Sequence, residues 1–592
     1  ILGMILTLFS RRSRFLSLAR TSSRLASERK KIFTLLALAA LLIPDFSAQA
    51  QNPVVSPDHA ARVGTLLVQN NEGRIEPVNT LASEVLRKVA KKGSFNGLNP
   101  VQVMLEMMIE PEKWRNVPII RVGDAELRRI LMASDGYVSF SNILSEEDGN
   151  YLLRDYVSKA YGKEPAERNK FDKEIINVDE RVNILFKFMN GGFLTIFPIP
   201  GDASNKWLSP ADAVKPDFHG EGDFIRESFG NYLSALEAAR WSGDYGKAGR
   251  FLDQLKVNQK EKGAEIYPSN LKTNLEVFYI NFNIFSKLSK IYIVVGLALL
   301  VLQLVSLLTL RSWPGRWERA GFWVVAGLLA VHTLGLGIRW YISGHAPWSN
   351  GYETLLYISW ATCMAGLFFA RRSPMTLAVT TILSAISLFV AGMSWMSPEL
   401  TNLVPVLKSY WLVIHVAVIT ASYGFFALAA LLGMVNLLLI IIDRAGNNEK
   451  IGFTLRELVL IIEMAIIAGL FMLTAGSFLG GIWANESWGR YWGWDPKETW
   501  AMVTILVYAF IAHMHNIRGF RGIYAMSLAS LAGFGSVLMT YFGVNYYLSG
   551  LHSYAGGEPV PIPAGVYVAV SLVVLLAITS FVAYKRRKTS EG

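Results

Sequence analysis

From about residue 291 to the end of the chain, nine apolar runs follow one another. They lie at roughly 291–310, 320–340, 352–370, 375–396, 410–442, 458–483, 499–514, 523–548 and 564–584. Each is long enough, or nearly so, for the roughly 20 helical residues that cross about 30 Å of hydrocarbon. In a bilayer the main-chain polar groups must be satisfied within the segment, so runs of this kind fold as helices. The C-terminal half is therefore expected to be a polytopic α-helical membrane protein with about nine transmembrane helices. The 410–442 run is longer than the hydrocarbon requires and is expected to tilt or project. Only 17% of the residues are charged, against about 25% in a soluble protein.

The charges between the runs set the orientation. Loops 311–319, 371–372, 443–456, 515–522 and the tail 585–592 carry 14 Lys and Arg, whereas the opposite set carries Lys408, Arg490, Lys497 and Arg339. Cytoplasmic loops hold the excess of Lys and Arg, so the first set is assigned to the cytoplasm. The formal net charge of +11 is then a topology signal, and the partner it implies is the lipid bilayer rather than nucleic acid.

Ahead of the runs, Ile1–Phe9 is too short to span, as expected of a piece of a longer chain. Residues 10–31 hold eight Lys/Arg against one Glu, and apolar Ile32–Ile43 and Ser47-Ala-Gln-Ala50 follow. Residues 1–50 thus read as a basic segment with an apolar signal peptide, or as a retained anchor helix. Residues 51–285 contain no spanning run and are expected to form an extracytoplasmic, soluble, α-rich region. Helix-like stretches there include Asn79–Lys92 and Phe229–Arg240. His59 and His219 look like isolated surface residues. The single cysteine, Cys363, sits in an apolar run; this excludes thiol–disulfide chemistry by the chain itself and reads as a small buried hydrophobe.

Chemistry concentrates in Trp488-Gly-Arg-Tyr-Trp-Gly-Trp-Asp-Pro-Lys-Glu-Thr-Trp500. Four Trp and a Tyr in thirteen residues, two of the Trp followed by Gly, suggest a flat apolar platform for a large planar ligand. An interfacial aromatic belt is the plainer reading. Two histidines fall on the same face: His415, just below the outer end of its helix, and His552, just after the 523–548 run. Neutral imidazole is a common axial ligand of heme iron.

The spelling WGRYWGWDPKE resembles the tryptophan-rich WWD signature of heme-handling membrane proteins, and PKETW narrows the resemblance to the CcsA (ResC-like) family of cytochrome c biogenesis. The similarity covers about 289–584, with a tryptophan-rich loop at 481–498, and more weakly 60–120. It implies heme b as ligand and substrate, with Trp488, Trp492, Trp494 and Asp495 at the binding loop. His415 and His552 resemble the family's outer axial pair. His513, nineteen residues past Trp494, resembles the ligand of an inner heme site. The second inner ligand is expected from a ResB/CcsB-like membrane partner.

Propionates favour bidentate Arg, which points to Arg490 and Arg339. Asp495 and Glu498 are expected to order the loop by hydrogen bonds. The 341–351 loop resembles the family's S-G-H-x-P-x-S-N-x-Y-E segment and is expected beside the tryptophan loop, with His345 not assigned to iron. His332 and Glu463 lie at mid-membrane, where ionisable groups are functional candidates. His515 is expected to face away from His513.

Together these imply a cytochrome c heme lyase or synthase in a bacterial inner membrane. It would carry heme across and present it, on the periplasmic side, to the CxxCH segment of apocytochrome c. Two alternatives remain: heme delivery to a chaperone, and transport of an unrelated solute.

Overall fold

The computed structural model describes residues 54–590 apart from 145–149, 165–166, 203, 213–220, 264–265, 310–315, 394–395, 404–406, 549, 551–561 and 563. The expected signal or anchor segment, His219 and His552 lie outside the described residues.

Residues 54–255 form a helical unit on one apolar core, trimmed by short two-stranded hairpins. In the first, β1 (Leu67–Gln69) pairs antiparallel with β2 (Ile75–Pro77). Arg74 beside β2 bridges Glu76 and Glu276 at 2.6 Å each, which ties the hairpin to α1 (Asn270–Phe282). His59 is buried rather than on the surface. Its ring stacks on Tyr245 at 5.0 Å, and its Nε2 lies 3.2 Å from Tyr232 Oη. The sequence shows one isolated His; the tyrosines that enclose it come from residues 173 and 186 positions later.

The membrane half runs through α2 (Ile284–Leu308), α3 (Arg316–Ser343), α4 (Gly351–Ala370), α5 (Pro374–Ala391), α6 (Tyr410–Ile442), α7 (Glu449–Trp488), α8 (Pro496–His513), α9 (Ile523–Leu538) and α10 (Ala564–Ser590). Eight of these, all but α8, are long and apolar enough to cross a membrane. Helix α8 departs from the expectation of nine because its first turn, Pro496-Lys-Glu-Thr, is polar. Its 18 residues still rise about 27 Å at 1.5 Å each. The chain is a multi-pass membrane protein.

Two cores organise the bundle. One joins α2–α5 through residues such as Tyr292, Leu356 and Cys363; the other centres on α6, α7 and their neighbours. Close approaches are made by small residues, as is usual where the solvent is as apolar as the side chains. A Cβ on Gly366 of α4 would strike Thr380 of α5, and one on Gly469 of α7 would come within 2.7 Å of Phe426 of α6.

Helices α6 and α7 have 33 and 40 residues, and at 1.5 Å per residue both exceed the hydrocarbon thickness. The expected loop 481–498 is accordingly much shorter. Helix α7 runs on through Trp488 and stops at Gly489, whose φ of 71° suits glycine.

The soluble unit packs on the 397–402 loop at one end of the bundle. Arg87 pairs with Glu399 at 3.1 Å, and Asn402 Nδ2 donates to Glu72 O at 3.1 Å. Arg339, near the end of α3, pairs with Glu353 of α4 at 2.7 Å and donates to Tyr279 Oη, Pro398 O and Glu399 O.

Candidate functional site

Seven residues, Gly489 to Asp495, connect α7 to α8. The turn is built by a reciprocal cap. Asp495 accepts from Lys497 N at 3.1 Å, and Glu498 Oε2 accepts from Gly493 N at 2.8 Å and Asp495 N at 3.3 Å. Pro at the first helical position has no N–H to leave unsatisfied. Both carboxylates therefore hold the loop, and Asp495, itself buried, serves as the cap.

The tryptophans do not form one flat platform. Trp494 adopts φ 56°, rare for a bulky residue, and is 67% exposed. Its ring stands at 88° to that of Trp492, 5.9 Å away. Trp488 instead packs edge-on against Trp483 at 4.7 Å. Arg490 folds back over the loop, so that a Cβ on Gly493 would lie 2.6 Å from its Cζ.

Beneath the loop lies a cavity of about 450 Å³, within the range of small-ligand sites. Its walls include Trp348, His415, Trp483, Trp492, Lys497 and Tyr541. His415, five residues into α6, donates from Nδ1 to Gly476 O at 2.7 Å. A carbonyl can only accept, so Nδ1 carries the proton and the lone pair falls on Nε2, as in a metal-binding histidine. The imidazole lies nearly parallel to Trp483, 15° between planes at 6.4 Å. Gly480 provides its seat: a Cβ there would sit 2.6 Å from Nδ1.

The lining also includes a π-helical turn, Met539–Gly543, which contributes Thr540, Tyr541 and Phe542. Single π turns are frequent at functional sites. After it, Gly550 packs on the tryptophan loop so tightly that a Cβ would come within 2.8 Å of Pro496 Cδ. The chain thus reaches the loop two residues before His552.

The 341–351 loop joins the site as expected. Trp348 Nε1 donates to Val413 O at 3.1 Å, two residues before His415. His345 clips that loop instead of entering the cavity, with its ring nitrogens 3.1 Å from Ala346 O and 3.2 Å from Thr401 O.

Other expected residues lie elsewhere. Arg339 is fully buried with its donors committed to Glu353, Tyr279 and the 398–399 carbonyls, so it does not face a ligand carboxylate. His513 is exposed at the far end of α8, with Nδ1 2.7 Å from Ala509 O. His332 is enclosed between Phe285 and Tyr292, at 5.4 and 6.1 Å. Trp348, Trp483 and Tyr541 were not singled out by the sequence. A helix drawn through to Trp488 would have placed Trp483 about one and a half turns before it, inside the bundle.

The donor set fits a planar, metal-bearing ligand: aromatic walls, an imidazole with Nε2 in the coordinating tautomer, and one lysine. A family model described as "Cytochrome C assembly protein" matches residues 348–552. The chain is 41% identical over 499 residues to Protein NrfI of Wolinella succinogenes, covering 84% of this chain and 55% of that protein. It is 37% identical over 280 residues to the cytochrome c biogenesis protein CcsA of Prochlorococcus marinus strain NATL2A, covering 88% of that protein. To CcsA of Guillardia theta it is 36% identical over 245 residues, covering 81%.

Proposed function

The chain belongs to the CcsA-type family of cytochrome c biogenesis proteins, and from that premise we propose that it carries heme to the cavity under the tryptophan loop for covalent attachment to apocytochrome c. The observation that carries this reading is His415. A histidine held by Gly476 O in the iron-binding tautomer, in an aromatic cavity, is what an axial ligand requires.

His552 is the partner ligand. Gly550, packed on Asp495 and Pro496, supports this by bringing the chain to the same loop. Trp483 and Trp492 flank the porphyrin, while Trp494 faces outward. The charge asymmetry supports placing this loop and residues 51–285 on the outer, periplasmic side of a bacterial inner membrane. His513 belongs to an inner site on the bundle surface, completed by a ligand from a ResB/CcsB-like partner.

The attachment itself needs no redox change. Each cysteine S–H of a CxxCH segment adds across a heme vinyl C=C, forming one C–S and one C–H bond. The chain's task is to hold the iron and orient the vinyls, a proximity effect. The CxxCH histidine then replaces one protein imidazole on the iron.

The test is the visible spectrum of the purified protein and of variants. A low-spin bis-histidine spectrum is expected, lost in His415→Ala and in His552→Ala together with holocytochrome formation. Added imidazole should partly restore both. Unchanged spectra and full maturation in both variants would sink the assignment. Maturation lost with heme still handed to a soluble carrier would favour delivery to a chaperone.

A further inference from the structure

Lys497 stands out among the groups that the outer site does not otherwise use. Of the side chains lining the cavity, Lys497 and His415 are the basic ones and Glu498 is the one acid. Glu498 is occupied by the main-chain N–H groups of Gly493 and Asp495. Lys497 is part-buried, and its ammonium donates to Asn545 Oδ1 at 3.1 Å. That acceptor is itself fixed, because Asn545 Nδ2 donates to Tyr541 O at 2.7 Å.

An ammonium has three donors, and among the described residues it meets one neutral side-chain acceptor and no carboxylate within ion-pair distance. A cation in such surroundings is costly unless an opposite charge joins it. Helix geometry adds to the demand. Lys497 is the second residue of α8, where the helix dipole is positive, and the cap there is already made by Asp495. The apolar walls set the rest of the ligand's character.

We infer that Lys497, oriented by Asn545, is the counter-cation for a carboxylate of the cavity's ligand; on the heme reading, which this rests on, that group is a propionate. This role passes to Lys497 from the two arginines. Arg339 is committed to Glu353, and Arg490 lies over Gly493, outside the cavity lining. Lysine acts here as a point charge, so it fixes which edge of the porphyrin lies against the start of α8.

The experiment compares iron protoporphyrin IX with its dimethyl ester, in which both propionates are neutral. The full chain is reconstituted in nanodiscs of zwitterionic lipid, so that no anionic headgroup can take the carboxylate's place, and empty nanodiscs give the background. Wild type should bind the free acid about tenfold more tightly than the ester. Lys497→Met should bind the two alike, and Lys497→Arg should keep most of the preference. A His415-dependent low-spin spectrum in each variant reports an intact site. An undiminished preference in Lys497→Met, or none in wild type, would overturn the inference while leaving the heme reading standing. Failure of wild type to bind either porphyrin would overturn the heme reading itself.

Discussion

A single hydrogen atom on Gly480 decides where His415 can sit. A methyl group there would overlap the imidazole, although Ala is otherwise the better helix former. Gly480→Ala should therefore keep its helix and lose the low-spin spectrum, an outcome that circular dichroism and visible absorption can separate. His345→Ala should do the reverse, leaving the heme spectrum unchanged and loosening the 341–351 loop, because the ring lies between the carbonyls of Ala346 and Thr401 and donates to one of them. A lost low-spin band in that variant would contradict the assignment. At this scale the sequence pointed to the tryptophan loop and to His415, and both border one cavity. The sequence ranked the cations by residue type alone and favoured the arginines. Arg339 and Lys497 look alike as outer-face charges, and only packing reveals that one is sealed against Glu353 while the other borders the cavity.

Among elements, the junction of α3 and α4 depends on the buried Arg339–Glu353 pair. Removing one partner leaves an uncompensated buried charge, which costs about 3–5 kcal/mol. Arg339→Met should accordingly lower the unfolding temperature strongly in detergent, and Arg339→Met with Glu353→Met should recover most of the loss. A double variant no better than the single one would show that the contacts to Tyr279 and the 398–399 carbonyls dominate. In the soluble unit, burial between two tyrosines pushes the His59 imidazole down to about 4, helped by the nearby charges of Arg62 and Lys256. The ordinary value is near 6.5, so between pH 6.5 and 4 the folded state binds fewer protons than the unfolded one, and stability falls as pH falls through that window. Protection factors in the 57–64 helix, corrected for the intrinsic pH dependence of hydrogen exchange, should fall from pH 6.5 to 4, and His59→Phe should flatten the dependence. The membrane elements were legible because apolar runs declare themselves. The end of α7 was not, since Trp, Ala, Asn, Glu and Ser at 483–487 extend a helix or a loop equally well until Gly489 stops it. The aromatic enclosure of His59 needed contacts far apart in sequence, which no local pattern records.

Over the whole molecule, nine crossings by α2–α10 would put the soluble unit and the end of α10 on opposite sides. Labels at Asn205 and Ser590 should then be accessible from opposite faces of the membrane; labelling of both from one face would undo the orientation and the outer-site assignment with it. The contacts that seat the soluble unit on the bundle are also long-range ones. Arg87 meets Glu399 across 312 positions and Glu72 meets Asn402 across 330. The helix that closes the unit ends at Phe282, and a ribosome adding 5–20 residues per second takes roughly 6–24 s to go from there to Asn402. For that time the unit stands with one flank unfinished, while the membrane is still receiving the helices that will supply its seat. Order of manufacture thus becomes part of the design. A nascent chain halted after Ala391 should display a unit that is folded but open to protease around Arg87, and the same bond should be protected once synthesis has passed Asn402.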